Sequence, residues 1–139
     1  MRVEACIEIA RSPADVWDVV ADRANDPRWC RKVKAVEQVG EGQWNVWHRP
    51  VPLQPLALLK VQHTRAEPPR YLAMREEDDA STFTVEYRLE PIPAGTSFSQ
   101  ISDFQWKKLP RALQPIFACG VRRDVKAQLR DLKRLLETA

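Results

Sequence analysis

The 139-residue sequence predicts an α+β fold in which an antiparallel sheet packs against a long C-terminal helix. Two observations carry this prediction. The last thirty residues repeat apolar side chains every three or four positions, which is the period of an α-helix with one dry face. Residues 33–106 instead contain short β-rich runs separated by turn residues, the pattern of an antiparallel meander. A helix with so continuous an apolar face must lie on a sheet built by the preceding chain.

The helix itself divides into two parts. Its main apolar stripe consists of Val121, Val125, Leu129, Leu132 and Leu136. Leu109, Leu113 and Ile116 are rotated away from that stripe when they are placed on the same helix, and Pro115 and Gly120 can interrupt a helix. We therefore expect residues 108–119 to form a separate short segment, either a mobile lid or the immobile part of a kinked helix.

The N-terminal part of the chain predicts one strand and two short helices. Residues 2–10 alternate apolar and polar side chains, as a half-buried strand does. Ser12 and Pro13 begin a helix, and the Asn25-Asp26-Pro27 sequence begins a second one that ends at Trp29. The remaining strands are predicted near residues 33–39, 43–49, 57–66, 71–78, 81–91 and 95–106.

Composition narrows the class of protein. The chain is the length of one domain, is 44% hydrophobic, and contains neither an apolar run near the ~20 residues of a membrane span nor a secretory start. We expect a cytoplasmic protein. The net charge of +3 is small and its basic residues are dispersed, which disfavours nucleic-acid binding. The three cysteines and two histidines lack metal-ligand spacing, and the four glycines form no phosphate loop, so no metal or cofactor is expected.

Several short motifs, in this order, resemble the START-like (SRPBCC) superfamily and its polyketide cyclase/dehydrase branch. They are the segments 9–17 (IARSPADVW), 26–29 (DPRW), 67–69 (EPP), 95–96 (GT) and 129–137 (LRDLKRLLE). The resemblance covers nearly the whole chain and implies a single domain over residues 1–139. It implies a helix-grip fold, in which a curved seven-stranded antiparallel sheet wraps around the C-terminal helix and leaves a ligand cavity between them.

Strand alternation predicts which side chains face such a cavity, because neighbouring residues of a strand point to opposite faces of the sheet. The candidate ligand-binding residues are Val46, Leu59, Val61, Leu72, Met74, Glu76, Phe83, Val85, Phe98, Gln100, Ser102 and Phe104 on the strands, with Phe117 in the segment 108–119 and Val121 at the start of the main helix stripe. Gln100 and Ser102 lie between two inward aromatic residues. A polar side chain there must be hydrated or paired, since burying it unpaired costs on the order of 1–3 kcal/mol.

Three polar residues are candidates for a chemical role. The alternation of Leu59 and Val61 also places His63 and Arg65 on the concave face, and Tyr87 reaches it from another strand. Glu76 is predicted to hold the Arg65 guanidinium in place. The alternative is that Arg65 and Glu76 pair at the cavity rim while His63 is a core histidine.

Three functions are compatible with these features. The first is binding of a hydrophobic or aromatic small molecule, lipid-like or polyketide-like. The second, implied by the resemblance, is a polyketide aromatase/cyclase that performs aldol closure and dehydration, with Arg65 stabilising an oxyanion and His63 or Tyr87 moving a proton. The third is a protein-interaction module that uses the basic face of the last helix. The chain is expected to act as a monomer or homodimer.

Overall fold

The structure is a computed structural model that describes residues 1–49 and 53–138. Its strands are β1 (Arg2–Ile9), β2 (Val33–Gly40), β3 (Gln43–His48), β4 (Ala57–Glu67), β5 (Tyr71–Glu77), β6 (Ser81–Ile92) and β7 (Gly95–Trp106). Its α-helices are α1 (Pro13–Val20), α2 (Asp26–Trp29) and α3 (Gln114–Glu137), with short 3-10 turns at Arg23–Asn25 and Arg111–Leu113. These bounds lie close to those predicted from the sequence.

The seven strands form one antiparallel sheet in the order β1-β7-β6-β5-β4-β3-β2. Strands β2 to β7 follow one another as a meander, and β1 joins the far edge beside β7. The connection from β1 to β2 carries α1 and α2 across the concave face, while α3 packs against β1 and α2. The helix-grip fold predicted from the resemblance is confirmed.

The two short helices begin as their sequences predict. The Ser12 side chain accepts a hydrogen bond from the Asp15 backbone N–H at 3.2 Å, and Pro13 occupies the first turn, where its missing N–H costs nothing. Val16 and Val20 then point into the core. Trp29 at the end of α2 is also buried, so both helices close one end of the concave face.

The start of β7 is fixed to the end of β1. Gly95 has a φ of +142°, and a Cβ there would approach the Ile9 carbonyl oxygen to 2.3 Å, so a glycine is required. The adjacent Thr96 hydroxyl donates a hydrogen bond to the Arg11 carbonyl at 2.6 Å. This junction sets the register of the two strands that support α3.

The expected interruption of the last helix is wrong. α3 runs without a break from Gln114 to Glu137, and Pro115 lies in its first turn, where a proline interrupts no helical hydrogen bond. The apolar residues of this C-terminal region instead differ in environment along the chain. Val125, Leu129, Leu132 and Leu136 are buried, whereas Leu113, Ile116 and Phe117 remain exposed. Among the described helices, none is long and apolar enough to cross a membrane.

Candidate functional site

A cavity of about 690 Å³ lies between the concave face of the sheet and the N-terminal half of α3. Most of its wall is apolar. Phe83 and Phe104 pack with ring centroids 5.1 Å apart, and Phe104 stacks on Trp106 at 5.8 Å. The mouth of the cavity is formed by the partly exposed side chains of Trp106, Leu109, Ile116 and Phe117.

Most of the candidate ligand-binding residues line this cavity. They are Leu59, Glu76, Phe83, Val85, Gln100, Ser102, Phe104, Phe117 and Val121, and Tyr87 joins them. The strand residues among them follow the predicted alternation of β5, β6 and β7, where Tyr87 pairs with Gln100 and Val85 pairs with Ser102 across the sheet. The alternation of these strands therefore located the floor of the cavity.

Five candidates face the concave side but lie in the packed core outside the cavity. They are Val46, Val61, Leu72, Met74 and Phe98. The core cluster that contains them also includes Val16 of α1, Trp29 of α2 and Leu132 of α3. The concave face is thus covered by helices at one end and open at the other, a division that strand alternation cannot predict.

Arg65 does not face the cavity, and its predicted role as an inward ligand or oxyanion contact is wrong. A β-bulge interrupts the β4–β5 ladder between His63 and Arg65, so the extra residue, Thr64, reverses the alternation. The Arg65 side chain is 65% exposed, bonds Glu67 at 3.1 Å and lies over the Tyr71 ring. The alternative Arg65–Glu76 pair is also absent, since Glu76 bonds a different arginine.

His63 packs beside the core instead of lining the cavity. Its ring lies 4.4 Å from the Trp44 ring, measured between centroids, and is half-buried. Burial, together with the positive charge of Arg23, lowers the pKa of His63 to about 4. The ring planes are tilted by 42°, and His63 Nε2 is buried without a hydrogen-bond partner among the described residues. His63 is therefore a histidine packed at the core, with one ring nitrogen unpaired.

The arginine that does reach the cavity is Arg23, in the turn after α1. Its Nη2 lies 2.9 Å from Glu76 Oε1 and 2.8 Å from Asp26 Oδ2. Its Nη1 donates to the Tyr87 hydroxyl at 3.4 Å and lies 2.8 Å from Met74 Sδ. Sequence reasoning missed Arg23 because it lies in a turn without periodic pattern, and its spacing to Asp26 is common in exposed pairs.

The cluster around Arg23 has unusual protonation equilibria. Burial raises the pKa of Asp26 to about 7, although Arg23 opposes this shift, and burial likewise raises the pKa of Glu76. Burial also holds the pKa of Tyr87 well above its usual value, so this phenol keeps its proton. One guanidinium therefore lies among two carboxyl groups that ionise reluctantly.

A second polar group forms the side wall of the cavity. His48 Nε2 lies 3.1 Å from Asp78 Oδ2, and Asp78 Oδ1 accepts hydrogen bonds from the Ala80 and Ser81 backbone N–H groups at 2.9 and 2.8 Å. The Ser81 hydroxyl lies 3.1 Å from the same oxygen. These bonds hold the β5–β6 turn and fix the His48 ring against the wall. The alternation of β3 that places Val46 on the concave face places His48 there too.

The third polar element is on β7. Gln100 Nε2 donates to Ser102 Oγ at 3.4 Å, and both residues are buried. Gln100 Oε1 is buried and has no hydrogen-bond partner among residues 1–49 and 53–138. An orphaned buried acceptor in a cavity wall is a position at which a ligand donor would be stabilised. In the same described residues, no group of three or more His, Cys, Asp or Glu side chains is arranged to hold a metal ion.

Comparison with solved structures agrees with this architecture. The fold matches the Zhui aromatase/cyclase from Streptomyces sp. R1128 with a TM-score of 0.82 and 17% identity, over 99% of this chain and 93% of that one. A conserved protein from Geobacillus kaustophilus matches with a TM-score of 0.81 and 14% identity, over 99% and 96% of the two chains. A START superfamily protein from Mycobacterium smegmatis matches with a TM-score of 0.79 and 13% identity, over 99% and 97%.

These identities are low, so the solved structures establish the fold alone. No curated protein matches the sequence. The model of the family described as polyketide cyclase / dehydrase and lipid transport matches residues 1–137. The chain therefore belongs to the polyketide cyclase/dehydrase and lipid-transport family.

Proposed function

We propose that this protein binds a hydrophobic or aromatic small molecule in the cavity between the sheet and α3. The observation that carries the proposal is the cavity itself, about 690 Å³ in volume and mainly apolar in lining. That volume falls within the ~300–1,000 Å³ range of small-molecule sites, and such sites combine an apolar wall with a few polar groups. Membership of a family described by cyclases and lipid transport supports the same proposal.

The wall favours a flat, apolar ligand. Phe83, Phe104 and Trp106 form a continuous aromatic surface along one side, against which a planar ring system can pack. Ile116 and Phe117 of α3 lie at the mouth of the cavity, where they are 67% and 47% exposed. A ligand that reaches the mouth would cover part of their apolar surface, which would add to affinity.

A cyclase-like reaction is the second candidate. It would need a donor for the developing oxyanion and a group that moves a proton. Arg65 and His63 lie outside the cavity, so Arg23, Tyr87 or the His48–Asp78 pair would have to supply these roles. The clustering of those residues beside an apolar cavity is the observation that favours it.

A cytoplasmic location and a monomeric or homodimeric state stay predictions from the sequence.

Titration with N-phenyl-1-naphthylamine, a neutral apolar fluorophore, tests binding. We expect saturable enhancement of its fluorescence at one site per chain. The variant Gly120→Trp should weaken binding at least about 10-fold. Gly120 shares its helix face with Phe117 and Asp124, both of which line the cavity, and a Cβ at residue 120 meets nothing within 4 Å. The added indole therefore has room to occupy ligand space.

The matched control is Cys119→Trp, which places the same side chain on the next residue of α3, at an exposed position that does not line the cavity. It should bind the fluorophore as the wild-type protein does. Absence of saturable binding by the wild-type protein, or equal loss in both variants, would refute the proposed site.

A further inference from the structure

We propose that the closed end of the cavity, defined by Arg23, Tyr87 and Gln100, accepts a hydroxyl group of an otherwise apolar ligand and rejects a carboxylate. The inference rests on the proposed binding function and specifies the chemical class of its ligand. It would make the ligand an aromatic or alicyclic alcohol or phenol, and it would exclude free fatty acids and aromatic acids.

Two facing residues of the closed end have hydrogen-bonding groups that complement a hydroxyl group. Tyr87 and Gln100 are direct partners across β6 and β7, and both line the cavity. Gln100 offers the unpartnered acceptor Oε1. The Tyr87 hydroxyl accepts from Arg23, and its own proton has no acceptor among the described residues. Arg23 Nε is also buried without a partner among the described residues. The closed end therefore presents one free acceptor, on Gln100, and free donors on Tyr87 and Arg23.

A hydroxyl group fits both of these needs at once, because it donates one hydrogen bond and accepts others. It would donate to Gln100 and accept from Tyr87. An ether or ketone oxygen can satisfy only Tyr87, which leaves the buried Gln100 oxygen unpaired. A site built in this way rejects a ligand that lacks the hydroxyl, since the polar groups of the protein then lose water without gaining a partner.

The charged groups around the closed end disfavour a ligand carboxylate. Asp26, Glu76 and Asp78 surround the closed end and side wall, where Arg23 and His48 are the neighbouring basic groups. The Nη atoms of Arg23 already donate hydrogen bonds to Glu76, Tyr87 and Met74. One of them also forms an ion pair with Asp26 at 2.8 Å. At the wall nearer α3, Lys32 is paired with Asp124. Lys108 also lines the cavity, but it is exposed and adjoins Leu109 at the mouth. A ligand carboxylate at the closed end would lose its hydration beside these acids, which is costly in a buried site.

Displacement of N-phenyl-1-naphthylamine by three ligands that share one ring system tests the inference at pH 7.5. We expect 2-naphthol to bind at least about 3-fold tighter than 2-methoxynaphthalene, as one added hydrogen bond allows. If buried apolar area alone set the affinity, the extra methyl group would make the ether bind tighter than the alcohol. We expect 2-naphthoate to bind at least about 10-fold weaker than 2-naphthol, because its charge must be buried.

Two variants assign the preference to the closed end. Gln100→Leu should remove the advantage of 2-naphthol over its ether, and Tyr87→Phe, which retains the ring, should reduce it. The control Gln105→Leu changes the same residue type on the exposed face of β7 and should retain the advantage. Equal affinity for the alcohol and the ether, tight binding of 2-naphthoate, or an unchanged preference in Gln100→Leu would overturn the inference alone. Failure of the fluorophore to bind at all would overturn it together with the proposed function.

Discussion

The C-terminal half of α3 covers packed core, whereas its N-terminal half covers the cavity. The C-terminal half lies on a dry core, where Leu129, Leu132 and Leu136 pack with side chains of β1, α1 and the sheet. The N-terminal half spans the cavity, and Ile116 and Phe117 keep much of their apolar surface exposed. One helix therefore packs on the core at one end and forms a cavity wall at the other. Little of the burial that stabilises the fold comes from the exposed side chains of Ile116 and Phe117, so we expect the two halves to differ in what their residues contribute.

Arg23 lines the cavity and also contacts Met74 of the packed core, and its removal should have the largest effect. Arg23→Met leaves Asp26 and Glu76 buried without their cation, so we expect a loss of ~3–5 kcal/mol in the free energy of unfolding. Urea denaturation measures it. The matched control is Arg65→Met, whose side chain is exposed and which should change stability by less than ~0.5 kcal/mol. Similar losses in the two variants would contradict the assignment of Arg23 to a buried cluster.

The two halves of α3 should differ clearly in their response to truncation. Leu132→Ala should destabilise the protein by ~2–5 kcal/mol, because Leu132 is fully buried and the dry core cannot fill the space. Ile116→Ala removes a side chain that is 67% exposed and should cost less than ~0.5 kcal/mol. Thermal and urea unfolding of both variants check this. A large loss in Ile116→Ala would show that the mouth belongs to the core after all.

The pH dependence of stability spreads its effect over about three pH units, and its sign is opposite to that of most acids. The pKa of Asp26 is raised from 3.8 to about 7 in the folded protein, so between these values the folded chain holds a proton that the unfolded chain has lost. This group therefore makes stability fall as pH rises from about 4 to about 7, by at most ~1.4 kcal/mol per pH unit. Asp26→Asn should lack this contribution.

The difference in unfolding free energy between wild type and Asp26→Asn, measured at each pH, separates the contribution of Asp26 from that of His63. The pKa of His63 is lowered from 6.5 to about 4 on folding, so His63 makes stability rise with pH over that window. The His63 contribution is common to both proteins and cancels in the difference. If the difference between the two unfolding free energies stays constant from pH 4 to 7, Asp26 does not titrate as the buried cluster requires.

Sequence reasoning succeeded where a regular period held without interruption. The alternation of Phe83, Val85 and Tyr87 located the cavity floor, because each step along an unbroken strand changes the face of the sheet. It failed at Arg65, since the bulge at Thr64 adds one residue that the apolar pattern does not reveal. It also missed Arg23, whose position depends on how the turn between two helices meets the sheet.

The rotated apolar residues of the last helix illustrate a different failure. Leu113 and Ile116 depart from the stripe of Val125 and Leu129, which predicted a break on the assumption that every apolar residue must reach one core. The helix is continuous, and its N-terminal half lies over the cavity instead of the core cluster. The position at which the apolar residues leave the main stripe is the position at which the surface beneath them changes from packed core to cavity.

Amide chemical shifts of the labelled protein during titration with N-phenyl-1-naphthylamine test the central claim most directly. The claim is that the cavity under the N-terminal half of α3 is the binding site. We expect saturable shifts at Phe83, Phe104, Phe117 and Val121, which line the cavity, and unchanged signals at the exposed strand residue Thr84. Shifts concentrated on the outer face of the sheet or at the exposed Arg122 and Arg123 of α3, or no saturable shift at all, would contradict it.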